Sequence, residues 1–403
     1  MTQALYNELA ELTIVDAHEH LPPEKAYLSY QYSGANFFAG YIRNDLVSAG
    51  LPVEFKNTMR DPGYKDVSEW WPQIAPYWER VKEGSHARAA IITARELYGI
   101  EEINDRTINR LADAIIADNT SGLYTRILSE RCKARVVLTC VERTDFQDDP
   151  LFRVVAPIDV SGTTADSFER LGESTGIRIN TLDDLVDASI HRLYQLKETK
   201  VVVGFKTKSF YRFEPDEGEA NALFKRIRAG QRVIKPFHLR DYLFDKLAGA
   251  VADLDMPIAV HAGVWGDFRE LDPKYTIDLA IRYPDVHFDL FHLGMPMVRD
   301  AAIIGKNFPN VSLNLCWCPV VSQRLTVNVL NEILDLVPLN KIIAFGADYR
   351  CVVQKAVGHL VMAREVVASV LGERIESGEI TEERALEIGK MWFHDNASEI
   401  YKV

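Results

Sequence analysis

The sequence predicts an α/β protein, a (β/α)8 TIM barrel with a helical insertion after strand 1. Three observations lead there: eight short apolar runs of strand length, helical stretches between most of them, and metal-capable side chains closing four of the runs. The strand candidates are Thr13–Ala17, Arg135–Cys140, Phe152–Ile158, Val201–Lys206, Pro257–His261, Val286–His292, Val311–Cys316 and Ile342–Asp348. Helical spacing occupies Leu182–Glu198, Arg240–Leu254, Ile277–Tyr283 and Val327–Leu336 between them. Eight strands alternating with helices close into a barrel whose reactive groups collect at its C-terminal mouth. A doubly wound open sheet is the rival, and it lacks the Gly-rich phosphate loop that should follow its first strand.

The chain opens on a short helical stretch, Ala4–Ala10, leading into the first strand. The alternation then stops. From about Pro23 to Arg131 the sequence is rich in Trp, Tyr and charge, with helical spacing in Ile91–Leu97 and Ile108–Ile115 and capping chemistry in Asn104–Thr107. Because His18 and His20 precede it, this stretch reads as an insertion into one domain spanning 1–403, not as a separate amino-terminal domain. A final helical pair, about Gly358–Leu371 and Thr381–Tyr401, completes the chain.

A formal charge of −12 argues against nucleic acid or an anionic membrane as the main partner. No window approaches the roughly 18 uncharged apolar residues of a membrane span, and the start lacks the basic and apolar regions of a signal peptide. Five cysteines, an odd number without a paired framework, suit a reducing compartment, so a cytoplasmic protein is expected. Cys316 and Cys318, flanking Trp317, read as small buried hydrophobes on one strand face. The aromatic-rich insertion offers surface for a homo-oligomer.

The chemistry begins at Asp16-Ala17-His18-Glu19-His20, where the first apolar run gives way to loop. Side chains two apart on a strand point the same way, so His18 and His20 aim two imidazoles at one spot, half a site for a divalent ion. Three further runs repeat the placement, ending in His261, His292 and Asp348 just before polar or Gly-containing loop. Scattered structural histidines have no reason to gather at strand ends. His86, His191, His238, His359 and His394 lie in helical or loop contexts and read as surface or internally satisfied histidines, and His287 begins the strand that His292 ends, so it should lie far from the mouth.

His18-x-His20 on strand one, His261 on strand five, His292 on strand six and Asp348 on strand eight together resemble the amidohydrolase superfamily. The resemblance implies that His18, His20, His261 and Asp348 bind a divalent metal, zinc first, with manganese or iron as alternatives. It implies that Asp348 also carries the proton of bound water, and that His292 polarises the substrate or binds a second ion. A metal-dependent hydrolase acting on a small, carboxylate-bearing molecule is the leading expectation. Phe291-His292-Leu293-Gly294-Met295-Pro296 is similar to the group holding hydrolases and non-oxidative decarboxylases. The long insertion, Asp348-Tyr349-Arg350 and Asn396-Ala397 are similar to uronate isomerases, whose pattern does not carry the strand-six histidine. Isomerisation and decarboxylation are therefore the alternatives, followed by a non-catalytic metabolite-binding barrel. Lys206, Arg350 and Trp317 are the candidate substrate contacts; Lys206 also stands where some members bridge two metals with a carboxylated lysine.

Overall fold

Each of the eight apolar runs yields a strand, and the strands follow one another in chain order within a single sheet. They are β1 (Ile14–Glu19), β2 (Ala134–Thr139), β3 (Phe152–Pro157), β4 (Val202–Thr207), β5 (Ile258–His261), β6 (Phe288–Phe291), β7 (Val311–Asn314) and β8 (Ile342–Ile343). The computed structural model describes residues 2–55, 59, 66–142, 144–146, 149–158, 164–208, 212–264 and 266–403. β1 pairs with β2, β3 with β4, and β4 through β7 in succession, all parallel. Parallel neighbours need long crossovers, and the helices supply them. Every residue of β1, β5, β6 and β7 is buried, which is why these runs read as continuous apolar stretches.

The helix at Leu182–Glu198 has the bounds its spacing predicts, because Thr181 caps it: its hydroxyl accepts the Asp184 N–H at 3.1 Å. The others shift by a few residues, to Phe237–Leu254, Tyr275–Arg282, Gln323–Leu334 and Lys355–Glu376. The last expected helix divides into Glu382–Lys390, a wider π-type turn at Met391–Asp395, and Asn396–Tyr401. Among the described residues, no helix is long and apolar enough to cross a membrane.

Two strands end two or more residues before their apolar runs do. β8 stops at Ile343, five residues short of Asp348: the next amide, that of Ala344, donates to the Trp392 carbonyl at 2.9 Å, and those of Ala347 and Tyr349 bond to carboxylates of β1, as described below. β7 stops at Asn314, so Cys316 and Cys318 do not share a strand face. Trp317 instead adopts a left-handed conformation (φ 65°) and starts the short helix Cys318–Val321. Both cysteines are nonetheless fully buried, and all five thiols are free.

The chain forms two compact units. The first comprises Met1–Thr139, Leu315–Asp335 and Ile343–Asp395. Its insertion packs around Phe37, Phe38, Trp70, Trp71 and Trp78. The indole N–H of Trp78 donates to the Ile103 carbonyl at 2.9 Å and that of Trp71 to Asp105 at 2.6 Å, whereas that of Trp70 is buried with no hydrogen-bond partner among the described residues. In the same unit the helix Lys355–Glu376 lies close against Ser85–Tyr98 at Gly358, where a Cβ would stand 2.0 Å from the Ala89 carbonyl oxygen and 2.6 Å from the Thr93 hydroxyl. Gly358→Ala is therefore expected to destabilise the protein by about 1–3 kcal/mol, the usual cost of overpacking. Denaturant melts would read this, and a loss below about 0.5 kcal/mol, the scale of a neutral surface change, would mean that the two helices separate freely.

The second unit comprises Cys140–Asn314, Leu336–Ile342 and Asn396–Val403. Its helices pack through Phe168, Phe224, Leu239 and Leu243. His287, just before β6, is lowered from 6.5 to about 4 by burial, with a smaller contribution from the Lys341 charge. A base with a depressed pKa leaves the folded chain short of a proton that the unfolded chain takes up. Stability from His287 is thus complete above about pH 6.5 and is lost as pH falls toward 4, at about 1.4 kcal/mol per pH unit. Denaturant melts from pH 6.5 to 4.5 should show wild type losing stability faster than His287→Gln by that slope. Parallel curves would mean that His287 takes its proton in the fold.

Candidate metal centre

The centre in the first unit grows out of β1 and the segment after β8. Phe345–Tyr349 runs beside β1: the Ala17 N–H donates to the Phe345 carbonyl (3.2 Å), Asp348 N–H to the His18 carbonyl (2.8 Å) and His20 N–H to the Tyr349 carbonyl (2.9 Å). Two amides turn instead to side chains. Ala347 N–H donates to Asp16 Oδ1 at 3.1 Å and Tyr349 N–H to Glu19 Oε2 at 2.6 Å. This diversion ends the regular ladder. It also leaves Asp348 left-handed (φ 58°), a conformation that Asp tolerates better than most residues.

The result brings three of the expected residues together. His18 Nε2 and His20 Nε2 each lie 3.3 Å from Asp348 Oδ1, with ring centroids 4.7 Å apart. One donor atom from each residue falls within 4.8 Å of the others. His18 and Asp348 are buried, whereas His20 is 20% exposed and leaves the cluster accessible from one side. A charge-assisted N–H···O bond settles at about 2.7–2.9 Å, so 3.3 Å is long for direct pairing. It matches the edge of a tetrahedron with bonds of about 2.0–2.1 Å, the lengths of zinc–imidazole and zinc–carboxylate contacts. The donor set therefore fits a divalent ion. Burial alone would raise the Asp348 pKa, but the charge and hydrogen bonds of His18 and His20 outweigh it and hold the carboxyl well below the usual range. An ion would take the place of that charge, since it binds imidazole in its neutral form and the carboxyl in its ionised form.

Beneath these donors, Asp16 and Glu19 are buried side by side, and burial raises both above ordinary carboxyl values. Asp16 Oδ1 also accepts the His18 N–H at 3.2 Å. Their place beside the histidines in Asp16-Ala17-His18-Glu19-His20 is plain in the sequence, but their role in tying β1 to the Asp348 segment is not. Three further residues make contacts here that the sequence does not foretell: Tyr41, which it leaves unassigned, and His86 and His359, which it reads as surface or internally satisfied. The Tyr41 hydroxyl, from the insertion, donates to the Asp348 carbonyl at 2.9 Å. His359 Nδ1 meets the Ala347 carbonyl at 3.2 Å. His86, paired with Asp45 at 2.8 Å, stacks on Tyr41 and on Trp317. No local pattern announces contacts across 307 residues, as between Tyr41 and Asp348.

Trp317 itself is fully buried, its ring centroid 3.8 Å from that of Tyr41. Arg350, two residues past Asp348, is exposed.

The second unit holds the other expected residues. His261 closes β5, as its run predicts, and His292 follows β6 directly, with φ 61°. His292 Nε2 and His261 Nδ1 lie 3.2 Å apart, so one ring donates to the other and their tautomers are linked. Lys206 on β4 is buried, its Nζ 3.8 Å from the centre of the Phe291 ring, a cation–π contact. Buried Asp289 accepts hydrogen bonds from Ser312 (2.9 Å), Asn314 (2.9 Å) and Tyr401 (2.8 Å). Burial raises its pKa, against those bonds and the Lys206 charge.

Solved structures share this fold over the whole chain. A uronate isomerase from Thermotoga maritima matches with a TM-score of 0.78 at 16% identity, covering 99% of this chain and 97% of its own. A glucuronate isomerase from Caulobacter crescentus matches at 0.77 and 14%, covering 100% and 93%. A Lactobacillus casei protein assigned as a metal-dependent hydrolase matches at 0.68 and 14%, covering 99% and 97%. At these identities the likeness speaks to fold alone, and the fold is the TIM-barrel type expected from the sequence. Protein fluG of Emericella nidulans is 24% identical over 169 residues, 39% of this chain, and the match spans 18% of fluG's length. Residues 199–403, just over half of the 403, match the family model described as Amidohydrolase. That stretch carries His261, His292 and Asp348, and on that match the chain belongs to the amidohydrolase family.

Proposed function

We propose that the protein is a metal-dependent aldose–ketose isomerase acting on a sugar acid of the uronate class. The observation that carries this reading is the whole-chain likeness, helical insertion included, to two uronate-type isomerases at TM-scores of 0.78 and 0.77. The three-donor cluster supplies chemistry suited to it. His18, His20 and Asp348 would hold the ion, and the ion would draw charge from the hydroxyl and carbonyl oxygens of the open-chain sugar. Isomerisation moves a proton from C2 to C1 while the carbonyl moves from C1 to C2, with no net oxidation and no water consumed. Asp348, kept ionised, is the proposed proton carrier. Arg350, exposed beside it, is the proposed fork for the sugar carboxylate. Buried Trp317 serves by backing Tyr41, and buried Lys206 remains a proposed substrate contact.

A second reading, a water-activating hydrolase, draws on one observation: the buried His292 hydrogen-bonded to His261. Among uronate isomerases, by the resemblance, that histidine is not required. Incubation with glucuronate and galacturonate in D2O, followed by NMR, tests the first reading: ketose should form and deuterium should enter at the transferred position. Turnover of lactones or amides with no change in the uronates would replace it with hydrolysis. His292→Asn adds an independent test. An isomerase should keep its turnover within about threefold, whereas a hydrolase losing a polarising or donor group should fall by about 10²-fold or more.

A further inference from the structure

The backbone direction of Asp348 is set by the two peptide planes that flank it, since φ and ψ are the rotations between them. Both planes are held at both ends. In the plane before Asp348, the Ala347 carbonyl meets His359 Nδ1 at 3.2 Å and the Asp348 N–H meets the His18 carbonyl at 2.8 Å. In the plane after it, the Asp348 carbonyl accepts from the Tyr41 hydroxyl at 2.9 Å and the Tyr349 N–H donates to Glu19 Oε2 at 2.6 Å. The N–H end of each plane is held by β1 itself. The carbonyl ends are held by two residues from elsewhere, one in the insertion and one in the helix Lys355–Glu376.

Such fastening has a purpose at a left-handed residue. A non-glycine at φ 58° relaxes toward the right-handed region unless its surroundings forbid it. Relaxation would swing the Cβ, and with it the carboxylate, away from His18 and His20. A carbonyl can only accept, so His359 must carry its proton on Nδ1. Burial lowers this imidazole to about 3, which keeps it in that neutral form. Its Nε2 is buried and has no hydrogen-bond partner among the described residues, so the contact to Ala347 is what its ring chemistry serves. The same holds for the Asp348 carbonyl, which can only accept, so the Tyr41 hydroxyl is the donor of that bond.

We propose that Tyr41 and His359 are positioning residues of the metal centre, each fixing the carbonyl of one peptide plane and together aiming the Asp348 carboxylate at the ion. The inference rests on the reading of His18, His20 and Asp348 as metal ligands, and it concerns residues that touch neither ion nor substrate.

Cobalt(II) titration of the chelator-stripped protein tests it, reading both the dissociation constant and the visible absorption bands, which report ligand geometry. Tyr41→Phe keeps the ring and its stack and removes only the hydroxyl. His359→Leu removes the donor, and His359→Asn restores an N–H near the Nδ1 position. Tyr283→Phe, which loses a remote hydroxyl bound to the Asp245 carbonyl at 2.7 Å, controls for a lost hydrogen bond as such. Tyr41→Phe and His359→Leu should weaken cobalt binding by about 10- to 100-fold, as loss of outer-shell partners does elsewhere, and should shift the bands. His359→Asn should recover most of both, and Tyr283→Phe should change neither. Wild-type affinity and spectrum in Tyr41→Phe and His359→Leu would overturn the proposal whatever their melting temperatures. If His359→Leu does not fold, Tyr41→Phe and His359→Asn decide it: the proposal stands if Tyr41→Phe shows the loss and His359→Asn does not, and fails otherwise. Equal cobalt binding by wild type and His18→Ala/His20→Ala would overturn the metal centre itself, and this inference with it. Loss in that double variant, with Tyr41→Phe unchanged, would overturn the positioning role alone.

Discussion

Asp348→Asn is expected to fold, to keep most of its metal and to turn over substrate about 10²-fold more slowly or worse. The asparagine amide keeps one oxygen that can face an ion and fits the same left-handed backbone, since Asn tolerates φ near 58° as readily as Asp. What it cannot do is take up a proton and return it. In the native protein, burial pushes against ionisation of Asp348, and the two imidazoles at 3.3 Å overcome that pressure. The carboxylate is thus held charged in a dry setting, which suits a proton carrier that must start each cycle empty. Turnover and bound metal need to be measured together, because a fall in both would report lost binding instead of lost proton transfer. Near-normal turnover with full metal would remove Asp348 as the carrier and leave it a ligand only.

Much of this arrangement could be read from residue order. The eight apolar runs are the eight strands because buried parallel strands need apolar residues on both faces, and that need writes itself locally. His18 and His20 were legible for a similar reason: the two-residue period of a strand is a local rule. Asp348 was found from its apolar run, yet its strand was misread. The run stays apolar through Ala347 because it is buried, but its amides turn to Asp16 and Glu19 instead of a regular ladder. Periodicity senses burial and not hydrogen-bond partners, so it overran β8 by five residues. β7 was overrun in the same way at Cys316. Tyr41, His86 and His359 were out of reach, since their partners lie far away in sequence and nothing in their own neighbourhoods distinguishes them from ordinary packed residues. The insertion was recognised as helical, but its delivery of Tyr41 to the Asp348 carbonyl depends on a tertiary fold that helical spacing alone does not describe.

The largest effect should come from His18→Ala/His20→Ala, which removes two of the three clustered donors. A lone carboxylate offers a divalent ion little, and this one would also change character. Without the hydrogen bonds of the two imidazoles or a bound ion beside it, burial becomes the dominant influence and favours the protonated, non-ligating form. The double variant should therefore contain far less than one equivalent of metal. Its turnover should fall by about 10³-fold or more, because charge stabilisation by a bound ion is worth several kcal/mol and about 4 kcal/mol is a thousandfold in rate. Excess zinc, manganese or iron(II) should not restore it, whereas wild type stripped by a chelator should regain activity when one of those ions returns. The comparison separates loss of the ion from loss of the fold: both proteins should give the same circular dichroism, and only the wild type should show a melting temperature that rises with added metal. Stoichiometric metal in the double variant, or turnover within about tenfold of wild type, would place the ion elsewhere and end the case for a centre built on His18, His20 and Asp348.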